Sequence, residues 1–522
     1  MSNDEIPVCR LLRYTNKGVL HTVFGYGGFV CIMLLFEISF TLMCIREMIN
    51  LLPFFAFGVG CFTVFSCVCI INSEIDYCSK LSWVLLAICI PLAGGLLYFY
   101  SYFKISRRRE EHKIKDISRS KLYPKSHFCD VIEELKENND DIANLALQLN
   151  QSGEYPIYKS CKTEYYSYGE YKWHSLLLDL NNAKKYIYLE YFIVEEGTMW
   201  GSILDILIKK AKDGLDVRLI YDGNCELSLL PVNYPKKLEA LGIKCKVFSR
   251  YKPVVSINFN FRDHRKLVVI DGNIAYTGGV NLADTYINHG TAPEHWKDTA
   301  VRLEGECVNS FALMFLKMWH CENLSQGDEL SDVYHTKHNC CGYVIPFGYS
   351  PFDQINTSVI LYSHILRNAQ RYVYMMTPFL ALGDSMLRLI TSTAQRGIDV
   401  RLIMSGIPDN KPMQALSETY YKTLLSSGVK IYRYKKGVVH AKMFLSDDTK
   451  AVVGSVNLDY RSLYHNFECG VFFYKTDTVK DIMNDFSRTF TICAEVSCDN
   501  IHHGSMISKA VGSALRVAAP LM

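Results

Sequence analysis

A chain of 522 residues is longer than one hydrophobic core ordinarily supports, so two or more domains are expected. Hydrophobic residues are 49% and charged ones 21%, a balance ordinary for a protein with soluble and membrane parts, and a net charge of +3 says little about partners until it is localised. The 19 cysteines have no paired spacing and eight fall in the first hundred residues, a usage that suits a reducing compartment better than a disulfide framework.

After a tail over 1–17, three apolar runs follow one another, at about 19–45, 51–71 and 82–103. Each has the roughly 20 residues that a membrane-spanning helix needs, so two to three spans are expected within 18–104. Glu37 in the first run, and Pro91 with Gly94 and Gly95 in the third, are tolerable where neighbouring helices cover them. Several runs without a cleavage site argue against a removed signal peptide.

From Lys104 to Lys125 there are nine Lys or Arg against Glu110, Glu111 and Asp116. By the positive-inside rule this puts the remaining chain on the cytoplasmic side of the cell membrane, as part of a multi-pass protein. Three spans would leave Arg10, Arg13 and Lys17 outside, a mild conflict with the same rule. The basic segment and connector occupy 105–160, and helical spacing over 131–151 leads into the second half of the chain.

That half is one unit written twice, over 161–335 and 336–504. Ala183-Lys184-Lys185-Tyr186-Ile187-Tyr188-Leu189 corresponds to Ala369-Gln370-Arg371-Tyr372-Val373-Tyr374-Met375, and Gly214-Leu215-Asp216-Val217-Arg218 to Gly397-Ile398-Asp399-Val400-Arg401. Within each unit β-branched and aromatic runs (Tyr186–Ile193, Val217–Tyr221) alternate with a helical one (Ser202–Lys212). The expected fold class is therefore α/β, two repeated domains each with a largely parallel, helix-covered sheet. A last segment, 505–522, reads as an amphipathic or packed helix.

Each unit carries the same motif. His264-Arg265-Lys266 leads to Asp271 and then Gly278-Gly279-Val280-Asn281; His440-Ala441-Lys442 leads to Asp447 and then Gly454-Ser455-Val456-Asn457. Histidine and lysine two apart share one face of a strand. Asp271-Gly272-Asn273 is a hairpin signal, and the asparagine beyond the returning strand can come back toward the same end. Converging copies would give two imidazoles with Lys266, Asn281, Lys442 and Asn457 as donors around one phosphate. Asp271 and Asp447 are candidates for orienting the histidines, or turn residues; Glu468 is a further candidate orienting carboxylate. His335, His338, Cys340 and Cys341 lack a complete ligand spacing, so neither metal nor cofactor is expected.

The paired H-x-K-x4-D motif resembles the signature of the phospholipase D superfamily. With the apolar N-terminus, Leu189-Glu190-Tyr191-Phe192-Ile193, Trp296-Lys297-Asp298 and Gly454–Ser462, the chain resembles the bacterial cardiolipin synthases, although two spans rather than three are usual there. The resemblance implies two facing domains that share one active site. It also implies transfer of a phosphatidyl group between two phosphatidylglycerol molecules, giving cardiolipin and glycerol, with phospholipids as partners and no nucleic acid. His264 would attack phosphorus and His440 serve as acid and base, with Lys266, Asp271, Lys442 and Asp447 completing the catalytic set. Sequence symmetry alone leaves the two histidines interchangeable. Other readings of the motifs are a membrane-anchored hydrolytic phospholipase D, another phosphatidyltransferase, a nuclease and an inactive scaffold. A nuclease would call for a basic groove, and an inactive scaffold for degenerate motifs.

Overall fold

The computed structural model describes residues 37, 39, 53–73, 75, 77–102, 125–153, 155–159, 161–231, 233–250, 261–290, 294–320, 338, 340–353, 355–497 and 506–521. Most of the first apolar run, the basic stretch 104–124, the three N-terminal cations and His335 lie outside them. The described residues form two compact units, one within 125–250 and 261–513, the other within 53–102 and 514–521.

In the smaller unit the second apolar run is one helix, Pro53–Ile71. The third run is two helices, Tyr77–Cys89 and Pro91–Tyr102. Pro91 breaks it because proline lacks an N–H and its ring displaces the carbonyl one turn earlier. Among the described residues no helix is long and apolar enough to cross a membrane, so none supplies by itself the spans expected within 18–104. Ile70, Ala87 and Tyr98 bury a small core, while Phe57, Val64, Phe65, Leu81, Ile88 and Leu96 remain exposed.

In the larger unit the helical stretch at 131–151 divides into Lys125–Asn138 and Asp140–Gly153. Asn139 starts the second helix, its Oδ1 accepting the N–H groups of Asp141 and Ile142 at 3.1 and 3.2 Å. The first half of the repeat then contributes β1 (Tyr158–Lys159), β2 (Lys162–Tyr166), β3 (Tyr186–Tyr191), β4 (Asp216–Asp222), β5 (Lys244–Phe248), β6 (Arg262–Asp263), β7 (Lys266–Ile270), β8 (Ile274–Gly278), β9 (His295–Lys297) and β10 (Ala300–Glu304). The second half contributes β11 (Tyr343–Tyr349), β12 (Tyr372–Met376), β13 (Asp399–Ser405), β14 (Lys430–Tyr434), β15 (Gly437–Val439), β16 (Met443–Ser446), β17 (Lys450–Gly454), β18 (Asn466–Tyr474) and β19 (Cys493–Glu495).

One sheet runs β2-β10-β8-β7-β3-β4-β5, and the other β1-β11-β18-β17-β16-β12-β13-β14-β19. Both use one plan. β3, β4 and β5 are parallel, as are β12, β13 and β14. The helix Thr198–Lys212 links β3 to β4 and buries Trp200, Ile203, Leu204 and Leu207. The lysine-bearing strands β7 and β16 instead run antiparallel to β3 and β12, each folded back as a hairpin with β8 or β17. The sheets are thus mixed rather than largely parallel. Each motif strand is joined to its neighbour by a tight turn, and a tight turn permits only antiparallel pairing.

Two short parallel pairings tie the halves together. β6, just before His264, pairs with the start of β18, and β15, just before His440, pairs with β9. Each histidine is thereby delivered by a segment hydrogen-bonded to the other half.

Candidate active site

His264 donates its backbone N–H to the Phe467 carbonyl at 2.9 Å, and His440 donates its own to the Lys297 carbonyl at 2.8 Å. The side chains repeat this exchange. His264 Nδ1 lies 2.9 and 3.0 Å from the two carboxylate oxygens of Glu468, and His440 Nδ1 lies 2.6 Å from Asp298 Oδ2. The strand register makes the two carboxylates equivalent. Gly278 pairs with Ala300 and Gly454 with Gly470, so Asp298 and Glu468 each sit two residues before the partner of their motif glycine. Each half orients the histidine of the other.

At His264 a carboxylate accepting at Nδ1 fixes the ring and leaves the lone pair of a neutral imidazole on Nε2, whereas at His440 the Lys442 Nζ also lies 2.9 Å from Nδ1. Both imidazoles are held neutral. Burial, then the charges of Lys266 and Lys442, push His264 well below its ordinary value. Burial and Lys442 bring His440 down to about 4, with Lys266 acting in the same direction. One pair of ammonium groups therefore acts on both rings, which brings the four side chains into one electrostatic site. Burial also lowers Lys266 to about 8 and Lys442 to about 7. It raises Glu468 to about 7, against the pull of Lys266. Around the rings stand Phe192, 4.9 Å from His264, and Tyr286 and Trp296, 5.1 and 5.8 Å from His440.

Asn281 and Asn457 are buried in the unit that holds the histidines. Asn281 Oδ1 accepts the Ile193 N–H at 3.2 Å, and its buried Nδ2 has no acceptor at hydrogen-bonding distance and angle among the described residues. Such a donor suits an incoming phosphate oxygen.

Asp271 and Asp447 are elsewhere, and the expectation that they act in catalysis or orient the histidines is corrected. Asp271 accepts the N–H groups of Lys184, Lys185 and Tyr186 at 2.7–2.9 Å. Asp447 accepts those of Gln370, Arg371 and Tyr372 at 2.8–3.1 Å. Both residues have left-handed φ, 52° and 54°, at the far end of the motif strand. They staple the hairpin turn to the start of β3 or β12. Five residues of β7 separate Asp271 from the catalytic end, roughly 16 Å of strand.

Two contributors, named in the sequence only as members of longer segments, were given no role there. Asp298 follows His264 by 34 residues whereas Glu468 follows His440 by 28, and the longer loop hides the equivalence. Ser455 donates its hydroxyl to Glu468 Oε2. Its counterpart is Gly279, where an added Cβ would lie 2.1 Å from Asp298 Oδ1. The G-[GS]-x-N segment thus supports the orienting carboxylate in both halves, by a hydroxyl in one and by empty space in the other. Among the described residues no group of three or more His, Cys, Asp or Glu could hold a metal ion.

Paired imidazoles and ammoniums of this kind, each ring oriented from the opposite repeat, define a phosphodiester-cleaving protein of the phospholipase D class. The family described as cardiolipin synthase, PLD-like domain, matches residues 176–319 and 362–490. The cardiolipin synthase 2 of Bacillus cereus is 31% identical over 87% of this chain and 89% of its own. The cardiolipin synthase of Geobacillus kaustophilus is 28% identical over 91% and 95%, and an uncharacterised Streptococcus mutans protein 43% over 87% and 98%. In fold, the phosphatidylserine synthase of Haemophilus influenzae aligns with a TM-score of 0.56 at 14% identity, covering 73% of this chain and 98% of that one. The chain belongs to the cardiolipin synthase family of the phospholipase D superfamily, and it is a phosphatidyltransferase.

Three measurements follow from this geometry. Asp271→Ala removes an acceptor of three backbone N–H groups and should lower stability by about 1–3 kcal/mol in thermal or urea unfolding. Activity per folded molecule should stay within about threefold, since its carboxylate is a strand's length from the rings. Gly279→Ala should do the reverse: a folded protein with activity reduced on the order of 10²-fold, because Asp298 must move and with it His440. For pH, a lysine held down to about 7 loses its charge as pH rises through that value. Tungstate, a dianion throughout, should therefore bind about 10- to 100-fold more tightly near pH 6 than near pH 9 by calorimetry.

Proposed function

We propose that this protein is a cardiolipin synthase that moves a phosphatidyl group from one phosphatidylglycerol to a second, through a phosphohistidine on His264. The observation that carries this is the pair of neutral imidazoles, each held from the opposite repeat and both under the charge of Lys266 and Lys442. A neutral His264 is ready to attack. Its Nε2 forms a bond to phosphorus while the bond from phosphorus to the glycerol oxygen breaks. His440 gives that oxygen a proton; the negative charge of the bound phosphodiester offsets the lysines and allows His440 to carry one. The hydroxyl of the second phosphatidylglycerol then loses its proton to His440 and attacks phosphorus, and His264 leaves. Lys266, Lys442, Asn281 and Asn457 donate to the phosphate oxygens in both steps.

The family relationship supports a phospholipid substrate. Exposed apolar side chains on Pro53–Ile71, Tyr77–Cys89 and Pro91–Tyr102 support seating the chain at the cell membrane. The excess of Lys and Arg over 104–125 supports a cytoplasmic catalytic unit.

The test is to incubate the purified protein in detergent or vesicles with phosphatidylglycerol alone. Cardiolipin and glycerol in equal amounts are expected. Phosphatidic acid with glycerol, and no cardiolipin, would replace the synthase with a hydrolytic phospholipase D.

A further inference from the structure

A second set of buried charges lies beside His264. Arg262, Asp263 and Arg265 flank it in sequence, and Asp222 at the end of β4 and Glu190 on β3 reach it from the neighbouring strands; all five are almost fully buried. Arg262 donates to Asp222 Oδ1 at 3.2 Å and to the Ser249 carbonyl at 3.1 Å. Asp222 Oδ2 accepts the Asp263 N–H at 3.0 Å, and Asp263 Oδ1 accepts the Arg265 N–H at 3.2 Å. Arg265 reaches Glu190 Oε1 at 3.4 Å and the backbone carbonyl of Glu468 at 3.2 Å. The cluster thus grips the backbone on both sides of His264 and binds the residue whose carboxylate orients it.

The repeat supplies an internal control. Subtracting one motif histidine from the other gives an offset of 176, which places Val438, Val439 and Ala441 where the first half has Arg262, Asp263 and Arg265. The pairings Glu190 with Leu267 and Met376 with Met443 make Met376 the counterpart of Glu190. The pairings Tyr186 with Asp216 and Tyr372 with Asp399 make Ser405 the counterpart of Asp222. The second half builds the same strands with three apolar side chains, a methionine and a serine. The fold therefore does not require these charges. Buried ion pairs are also poor sources of stability beside apolar packing of similar volume.

We propose that Asp222, Arg262, Asp263, Arg265 and Glu190 are positioning residues for His264 alone, holding it in line with phosphorus as the nucleophile. A nucleophile must meet phosphorus along one direction, and an error of about 1 Å costs on the order of 10²-fold. His440 moves a proton and forms no bond to phosphorus, so its placement does not limit attack on a substrate whose leaving group departs unprotonated. Arg265 makes the key link, since it fastens the strand of the nucleophile to the strand of its orienting carboxylate. Burial and the neighbouring Asp263 charge raise Glu190 well above the usual carboxylate range.

This rests on the phosphohistidine reading above, and the test separates the two. A phosphatidyl ester with a nitrophenolate leaving group departs without a proton, so its burst reports attack by His264 and not acid catalysis by His440. The burst amplitude counts competent sites, and its rate reports positioning. Arg265→Met and the double replacement Asp222→Ser with Arg262→Val, which installs the second half's residue types and leaves neither ion unpaired, are compared with Ser405→Ala. Ser405 bonds the Val439 backbone at the equivalent place, accepting at 3.0 Å.

In both first-half variants the burst rate should fall on the order of 10²-fold, with amplitude and substrate KM within about twofold. Ser405→Ala should keep a rate within about threefold of the unaltered protein, and the label should map to His264. An unchanged burst rate in both first-half variants, or an equal loss in Ser405→Ala, overturns this inference and leaves the phosphohistidine standing. Amplitude lost in place of rate in both variants overturns it too, because it marks a purely structural role. No label on His264 in the unaltered protein removes the phosphohistidine and this inference with it.

Discussion

The reciprocal hold on the two histidines is the constraint on which the rest depends. Glu468 orients His264 and Asp298 orients His440, and in both cases the carboxylate comes from the other half of the repeat. Neither half orients its own motif histidine by itself. The short pairings of β6 with β18 and β15 with β9 carry the same exchange in the backbone. A local slip in either pairing would shift a histidine and its carboxylate relative to one another, so the interface between the halves and the chemistry are one structure.

Burial gives that structure its chemical character. A histidine in water is partly protonated near neutrality; here desolvation and two nearby ammoniums keep both rings neutral. The same desolvation brings Lys442 down to about 7, so near neutrality the site holds less charge than its composition suggests. A negatively charged phosphodiester bound here would favour the protonated lysines. The charged form of the site is thus tied to occupancy, and a low dielectric strengthens every donor aimed at the phosphate.

Duplication gives two halves with one plan, and their differences are local. Gly279 leaves room where Ser455 reaches in, so one orienting carboxylate is admitted by space and the other held by a hydroxyl. The charges around His264 are replaced around His440 by Val438, Val439 and Ala441. Because the backbone tolerates both sets, these differences belong to the site and not to the scaffold.

Much was legible in the sequence. A repeat that preserves histidine, lysine and asparagine at fixed spacing marked the site, since few chemistries need those types twice, and Glu468 stood out as a candidate orienting carboxylate. Alternation of strand and helix gave the α/β class. Three things were decided only by tertiary structure. Asp271 and Asp447 were drawn into the site by their place in the motif, but a residue at the far end of a strand faces the opposite edge of the sheet, where they bind backbone N–H groups. Asp298 was named only within a family segment and given no role, because loops of different length conceal which residues share a register, and register exists only once the strands pair. Which carboxylate serves which histidine could not be read from either motif, because the answer lies across an interface between segments about 200 residues apart: His264 and Glu468 are separated by 204 positions. Spacing along the chain determined the cast of residues, and strand pairing between the halves determined their partners.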